Sequence, residues 1–110
     1  MAANQDEKEL FYLRCRNYGN EYLVAVCDSP LLGQTIRDGE LELFINERFF
    51  GGSLASLDEC LEEMMKATSF NLIGEKIVKA AIKARLVNEL AVLWINSSQH
   101  GLVGHVMFVR

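Results

Sequence analysis

The residues with the most chemistry in them are Cys27, Asp28 and His105. A thiol beside a carboxylate, placed where a strand ends and a helix starts, gains acidity from free backbone N–H groups. An imidazole titrates near neutrality and serves as base or ligand. Folded together, Cys27 and His105 would make a nucleophile and its base, with a pocket around them. The plainer roles are a core cysteine, an N-capping aspartate and a satisfied core histidine, which such residues fill more often.

A second set suits binding rather than catalysis. Lys76, Lys79 and Lys83 recur at helical spacing and fall on one side of a helix, where adjacent cations match a phosphate backbone. The plainer role is a solvated face, with Glu75 four residues before Lys79 and late cations suiting the helix dipole. Phe49-Phe50-Gly51-Gly52 is an aromatic–glycine corner, and its rings, like Trp94, are partner anchors or core filling. Gly51-Gly52 and Asn71 through Glu75 have the small-residue content of an anion nest, but they lack the P-loop spacing and its Lys-Ser/Thr ending.

Composition narrows the field. The chain has 110 residues, 50% hydrophobic and 24% charged, which fits one globular domain and not a disordered chain. The net charge is −4, yet residues 71–110 carry five Lys/Arg against two Asp/Glu. An acidic whole argues against strong non-specific nucleic-acid binding while leaving room for a local basic patch. The three cysteines, Cys15, Cys27 and Cys60, are widely spaced with no CxxC pair, so neither a disulfide framework nor a zinc ribbon is expected. No metal or cofactor is expected either. The polar start Met1–Glu7 is not a signal peptide, and no apolar run is long enough for a bilayer, which together point to the cytoplasm.

Several elements must position these residues. Residues 1–8 read as a flexible tail, with the globular domain over 9–110. Leu10–Arg16 alternates as a strand, Asn17–Asn20 signals a turn, and Glu21–Cys27 returns, apolar on both faces. Asp28-Ser29-Pro30 opens a short helix with Leu31, Leu32, Thr35 and Ile36 on its inner side. Residues 40–45 alternate as a third strand. Ser56 with Glu59 has the capping-box spacing ahead of a helix whose inner face is Cys60, Leu61, Met64 and Met65. The longest periodic stretch is 70–86, where Phe70, Ile73, Gly74, Ile77, Val78 and Ala81 repeat as one helical face. Residues 91–95 and 102–109 read as closing strands around the polar loop 96–101.

The order β-β-α-β-α-α-β-β is an α+β layout: a mostly antiparallel five-stranded sheet with two longer helices on one face and one short helix. Two strands are apolar on both sides, and only the Pro30 helix is available to cover the second face. Either it does so or another subunit does, which would make that face a homodimer surface.

Val26-Cys27-Asp28, Leu32-Gly33, Gly39, Phe49, Gly51-Gly52, Asn71-Leu72-Ile73-Gly74-Glu75, Gly101 and His105 occur in this order from Phe11 to Val109. In this the chain resembles an uncharacterised family of short archaeal proteins, a domain of unknown function. It departs where the family pattern has a glutamine two residues after the histidine; here Met107 follows His105. The resemblance implies an archaeal, cytoplasmic, single-domain protein, and brings no activity and no catalytic residues. The reading that results is a non-enzymatic interaction module for a protein or ribonucleoprotein partner, translation- or RNA-associated, with Lys76, Lys79, Lys83 and Phe49–Gly52 as contacts. The alternative is a small enzyme or ligand-binding protein with its pocket near Cys27, Asp28 and His105.

Overall fold

Alternation sets the first hairpin. In the computed structural model, which describes residues 9–110, β1 (Leu10–Tyr18) and β2 (Glu21–Asp28) pair antiparallel from Phe11 opposite Asp28 to Tyr18 opposite Glu21. Gly19 and Asn20 make the turn. The tail expected over 1–8 lies outside the described residues.

After β2 the chain departs from the sequence expectation. The Pro30 helix is only a single 3-10 turn, Ser29–Leu31. Leu32 is extended, and Thr35 and Ile36 enter a strand instead of a helix face. Hairpin β3 (Thr35–Asp38) and β4 (Leu41–Phe44) follows, with Asp38 opposite Leu41. Two β-branched neighbours disfavour helix, and one buried side chain, Ile36, is enough to hold a short strand. A one-turn helix, α1 (Glu47–Phe50), comes next, its N-terminus capped by Asn46, whose side chain accepts from the Arg48 N–H at 2.7 Å. The chain then returns to β1 as β5 (Ser53–Ser56), a strand too short and polar to show a pattern.

The capping box forms as expected. The Ser56 hydroxyl accepts from the Glu59 N–H, and the Glu59 carboxylate accepts from the Ser56 N–H at 2.9 Å, opening α2 (Leu57–Lys66).

The expected rod over 70–86 is broken. Its first part is strand β6 (Ser69–Ile73), and only Glu75–Lys83 is helix, α3. The break is Gly74, with φ +136°, which no helix accommodates. Three apolar residues in so short a run fit either period, and here β6 buries Phe70 and Leu72 on one face and Ile73 on the other. The helical half keeps its orientation: Ile77, Val78 and Ala81 are buried, and Lys76, Lys79 and Lys83 face water. α3 ends in a Schellman motif, with Leu86 N–H donating to Ala81 O at 2.9 Å and Arg85 N–H to Ile82 O. Arg85 takes the left-handed position, φ +63°, usually given to glycine. A 3-10 turn, Glu89–Ala91, then precedes β7 (Leu93–Ser97) and β8 (Gly101–Val109).

The result is a single compact α+β domain around a six-stranded sheet, order β5-β1-β2-β6-β8-β7, with β3-β4 as a separate two-stranded sheet. The expected five-stranded sheet and its element order are thereby corrected. β2 and β6 run parallel and the other pairs antiparallel, so the sheet is mixed. On the first face Phe11, Val24, Val26, Leu72 and Val106 meet α2 and α3 through Cys60, Met64, Ile77 and Val78. On the second face Ala25, Cys27, Ile73, Ile95 and Val103 meet Leu31, Ile36, Ile45 and Phe50. The cover expected from a lone Pro30 helix or a second subunit therefore comes largely from the chain's own residues 29–50.

Candidate functional site

Asp28 is the hinge of the interior. It ends β2, is 8% exposed, and makes no cap bond to its own turn. Its carboxylate instead accepts from Lys76 N–H at 2.9 Å and Ile77 N–H at 3.0 Å, capping α3 from across the sheet. Burial pushes the carboxyl above its usual range, against the pull of those two N–H groups and of Lys76. Gly74 makes the approach possible, since a Cβ there would sit 2.2 Å from the Asp28 carboxyl carbon. Beside this cap lies a cleft of about 220 Å³, lined by Asp28, Pro30, Glu75, Lys76, His100 and Leu102. Neither Cys27 nor His105 reaches it.

Cys27 is fully buried, and its thiol donates to the Asp28 carbonyl at 3.1 Å. Burial, reinforced by the Asp28 charge, pushes its pKa to about 12, so it is a protonated core thiol. His105 pairs across the sheet with Ile73, whose other neighbour is Cys27. The three lie in one row, which puts the thiol and imidazole columns roughly 10 Å apart, two strand spacings. The nucleophile–base pair is not assembled. His105 Nε2 instead donates to Asn71 Oδ1 at 3.1 Å, the amide oxygen fixing that tautomer.

Burial pulls the His105 pKa below its ordinary value. Below pH about 6.5 an unfolded chain takes up a proton at this position before the folded one does, so the native state loses stability as pH falls through that window. His105→Gln is expected to flatten this acid-side slope relative to the parent chain, measured as urea midpoints at pH 7.5, 6.5 and 5.5. Parallel slopes would exclude the imidazole as the source.

The lysine row is exposed but partly neutralised. Lys76 pairs with Glu9, and Lys79 with Glu75 at 2.7 Å; Lys83 forms no ion pair among the described residues. The aromatic corner divides: Phe50 is buried and Phe49 is 40% exposed, their rings edge to face at 4.8 Å. Gly51 and Gly52 are required by close approach, since Cβ atoms there would lie 2.3 Å from Glu47 O and 2.1 Å from Leu13 O. No anion nest is needed to explain them. Trp94 packs against Gly104, where a Cβ would meet its ring at 2.8 Å.

What the sequence does not show is a groove on the second face of the sheet, beyond the cover of residues 29–50. Its floor is Leu23, Ala25 and Asn71; Phe49 and Arg16 form one side, and Met107 and Val109 the other. It holds about 210 Å³, and Met107 and Val109 are 66% and 75% exposed. Arg16 lies over the Phe49 ring, 5.3 Å from its centroid, and donates to Arg48 O at 2.6 Å and Phe49 O. Arg14, two residues along the same face, donates to Gly51 O at 2.7 Å. Both guanidiniums thus satisfy carbonyls at the end of α1 while their charge meets no carboxylate among the described residues. In sequence Met107 and Val109 fall in the closing strand 102–109, and the alternation of Leu10–Arg16 puts Arg14 and Arg16 on a single face of β1.

Among the described residues no cluster of His, Cys, Asp or Glu is arranged to hold a metal, and no helix is long and apolar enough to cross a membrane. The layers and the groove define a small α+β domain with one sheet face left partly open. The chain belongs to the family described as protein of unknown function (DUF424), whose model matches residues 16–106. It is similar in fold to an uncharacterized conserved protein from the archaeon Methanopyrus kandleri, with a TM-score of 0.71, 23% identity and 90% of each chain covered. No curated protein matches it.

Proposed function

We propose that this protein is a non-enzymatic interaction module of the cytoplasm that docks a protein or ribonucleoprotein partner through the groove between Phe49 and Met107. The carrying observation is the groove itself: Phe49 of α1 and Met107 and Val109 of β8 stand exposed around one concavity, on the sheet face that residues 29–50 cover only in part. Apolar side chains gathered around a concavity favour association, whereas single scattered ones do not. At about 210 Å³ the groove is smaller than the roughly 300–1,000 Å³ of common ligand pockets, which suits a partner's side chain better than a cofactor. The Lys76, Lys79 and Lys83 face is the secondary contact, since ion pairs already engage its first two members. An enzyme built on Cys27, Asp28 and His105 has less support: the thiol is sealed and the carboxylate is occupied.

The test is Met107→Glu, which places a charge on an exposed position without touching the core. Tagged parent and variant proteins are recovered from native-organism lysate, with and without RNase, after matched melting curves. Loss of at least tenfold of a stoichiometric companion in the variant supports the reading. A companion retained equally by both would overturn it.

A further inference from the structure

Resting on that reading, we infer that the groove's occupant is an acidic protein segment: one bulky apolar or aromatic side chain on the floor, with carboxylates on either side of it. Three observations converge. The lining is chiefly apolar, with Leu23, Ala25, Phe49, Met107 and Val109 around Asn71 and Arg16, and its volume fits a single large side chain. The charge beside it is mainly positive; Glu21, two residues before Leu23 on the same side of β2, is already occupied by the Thr68 hydroxyl, from which it accepts at 3.0 Å. Arg14 and Arg16 lie on this face and Arg48 belongs to the α1 turn above it; none of the three is in an ion pair among the described residues. Of the other cations, Arg37, Lys66, Lys76 and Lys79 each hold a carboxylate, and Lys83, Arg85 and Arg110 hold none among the described residues. In a chain of net charge −4, three arginines gathered beside one apolar groove are complementary to an anionic partner.

The same charge weighs against the other occupants. A second copy seated here by a two-fold axis would bring two sets of Arg14, Arg16 and Arg48 together. Single-stranded RNA calls for stacking platforms, and the one exposed ring that lines the groove, Phe49, already has Arg16 over it. The preformed hydrogen bonds of Arg14 and Arg16 to α1 carbonyls hold both guanidiniums in place, so little side-chain freedom is lost on binding.

The experiment uses fluorescein-labelled pentapeptides and the full chain. One peptide has a central tryptophan between two aspartates on each side; its control carries lysines instead. Anisotropy titrations at 50 and 300 mM salt are expected to show the acidic peptide binding at least tenfold tighter, weakening at high salt, and losing a further tenfold on Met107→Glu. Arg14→Gln and Arg16→Gln should each weaken it several-fold at unchanged melting temperature; if Arg16→Gln unfolds the chain, the salt dependence of the parent protein reads the same charge. Equal binding of both peptides, or of neither up to millimolar concentration, overturns the inference, as does tighter binding of an octamer of uridylate. Concentration-dependent dimerisation by light scattering, abolished by Met107→Glu, would assign the groove to a second copy. If Met107→Glu abolishes companion capture but the acidic peptide does not bind, the docking groove stands and its acidic occupant is wrong.

Discussion

Asp28→Ala is expected to lower stability by about 2–4 kcal/mol in urea denaturation. The substitution removes the acceptor for two backbone N–H groups, on Lys76 and Ile77, the second of them buried. A lost N-cap costs about 0.5–2 kcal/mol, and a buried donor left unpaired about 1–3. Relief of a buried carboxylate offsets part of this, which is why the sum is not larger. Asp28→Asn keeps one acceptor oxygen but turns an amide NH2 toward the second N–H, so it should cost about 1–3 kcal/mol. Gly74→Ala should be at least as damaging as the alanine at 28, because its Cβ would lie 2.2 Å from the same carboxyl carbon and its φ is +136°. The double variant Asp28→Ala/Gly74→Ala should cost clearly less than the two single changes added, since the clash partner is gone and only the dihedral strain remains. Strict additivity would mean that the carboxylate and the glycine are not coupled.

Leu72→Ala should cost about 3–4 kcal/mol, within the range for buried leucines that leave a cavity. Leu72 is fully buried, pairs with Val26 on one side and Val106 on the other, and belongs to the core beneath α2 and α3. Helices, strands and neighbours all converge there, so the space has little freedom to collapse. Met107→Ala, on β8 of the same sheet, should change stability by less than about 0.5 kcal/mol because its side chain is mostly in water. A comparable loss at both positions would mean that Met107 is covered in solution, and would itself point to an associated state.

The parts of the fold that could be read from residues are those with a strong local signal. β1 and β2 alternate around a turn, Ser56 and Glu59 cap α2, and β8 runs apolar to the end. What stayed hidden was decided at a distance. Phe70–Ile73 carries apolar residues compatible with strand or helix, and only its place between β2 and β8 selects the strand. β4 is legible in the alternation of residues 40–45, whereas Thr35–Asp38 becomes its hairpin partner with Ile36 packed among Cys27 and Ile73, a placement its own pattern does not show. Asp28 could be recognised as a capping residue, but the helix it caps lies far along the chain. The groove leaves only a faint trace in the sequence, Arg14 and Arg16 on one face of β1. It exists because residues 29–50 stop short of covering Leu23 and Met107, and the extent of a cover is a property of tertiary packing.

The parallel partnership at the middle of the sheet has a consequence for how the molecule is made. Leu23 must wait for Ser69, so the first hairpin, although local, emerges from synthesis with one flank bare. Neither α1 nor α2 can protect that flank; only β6 can, and β6 in turn is flanked by β8, whose last residue, Val109, lies opposite Ser69. Assembly is therefore gated by the arrival of β8. Removal of β8 would leave an unclosed, adhesive sheet rather than a smaller folded domain.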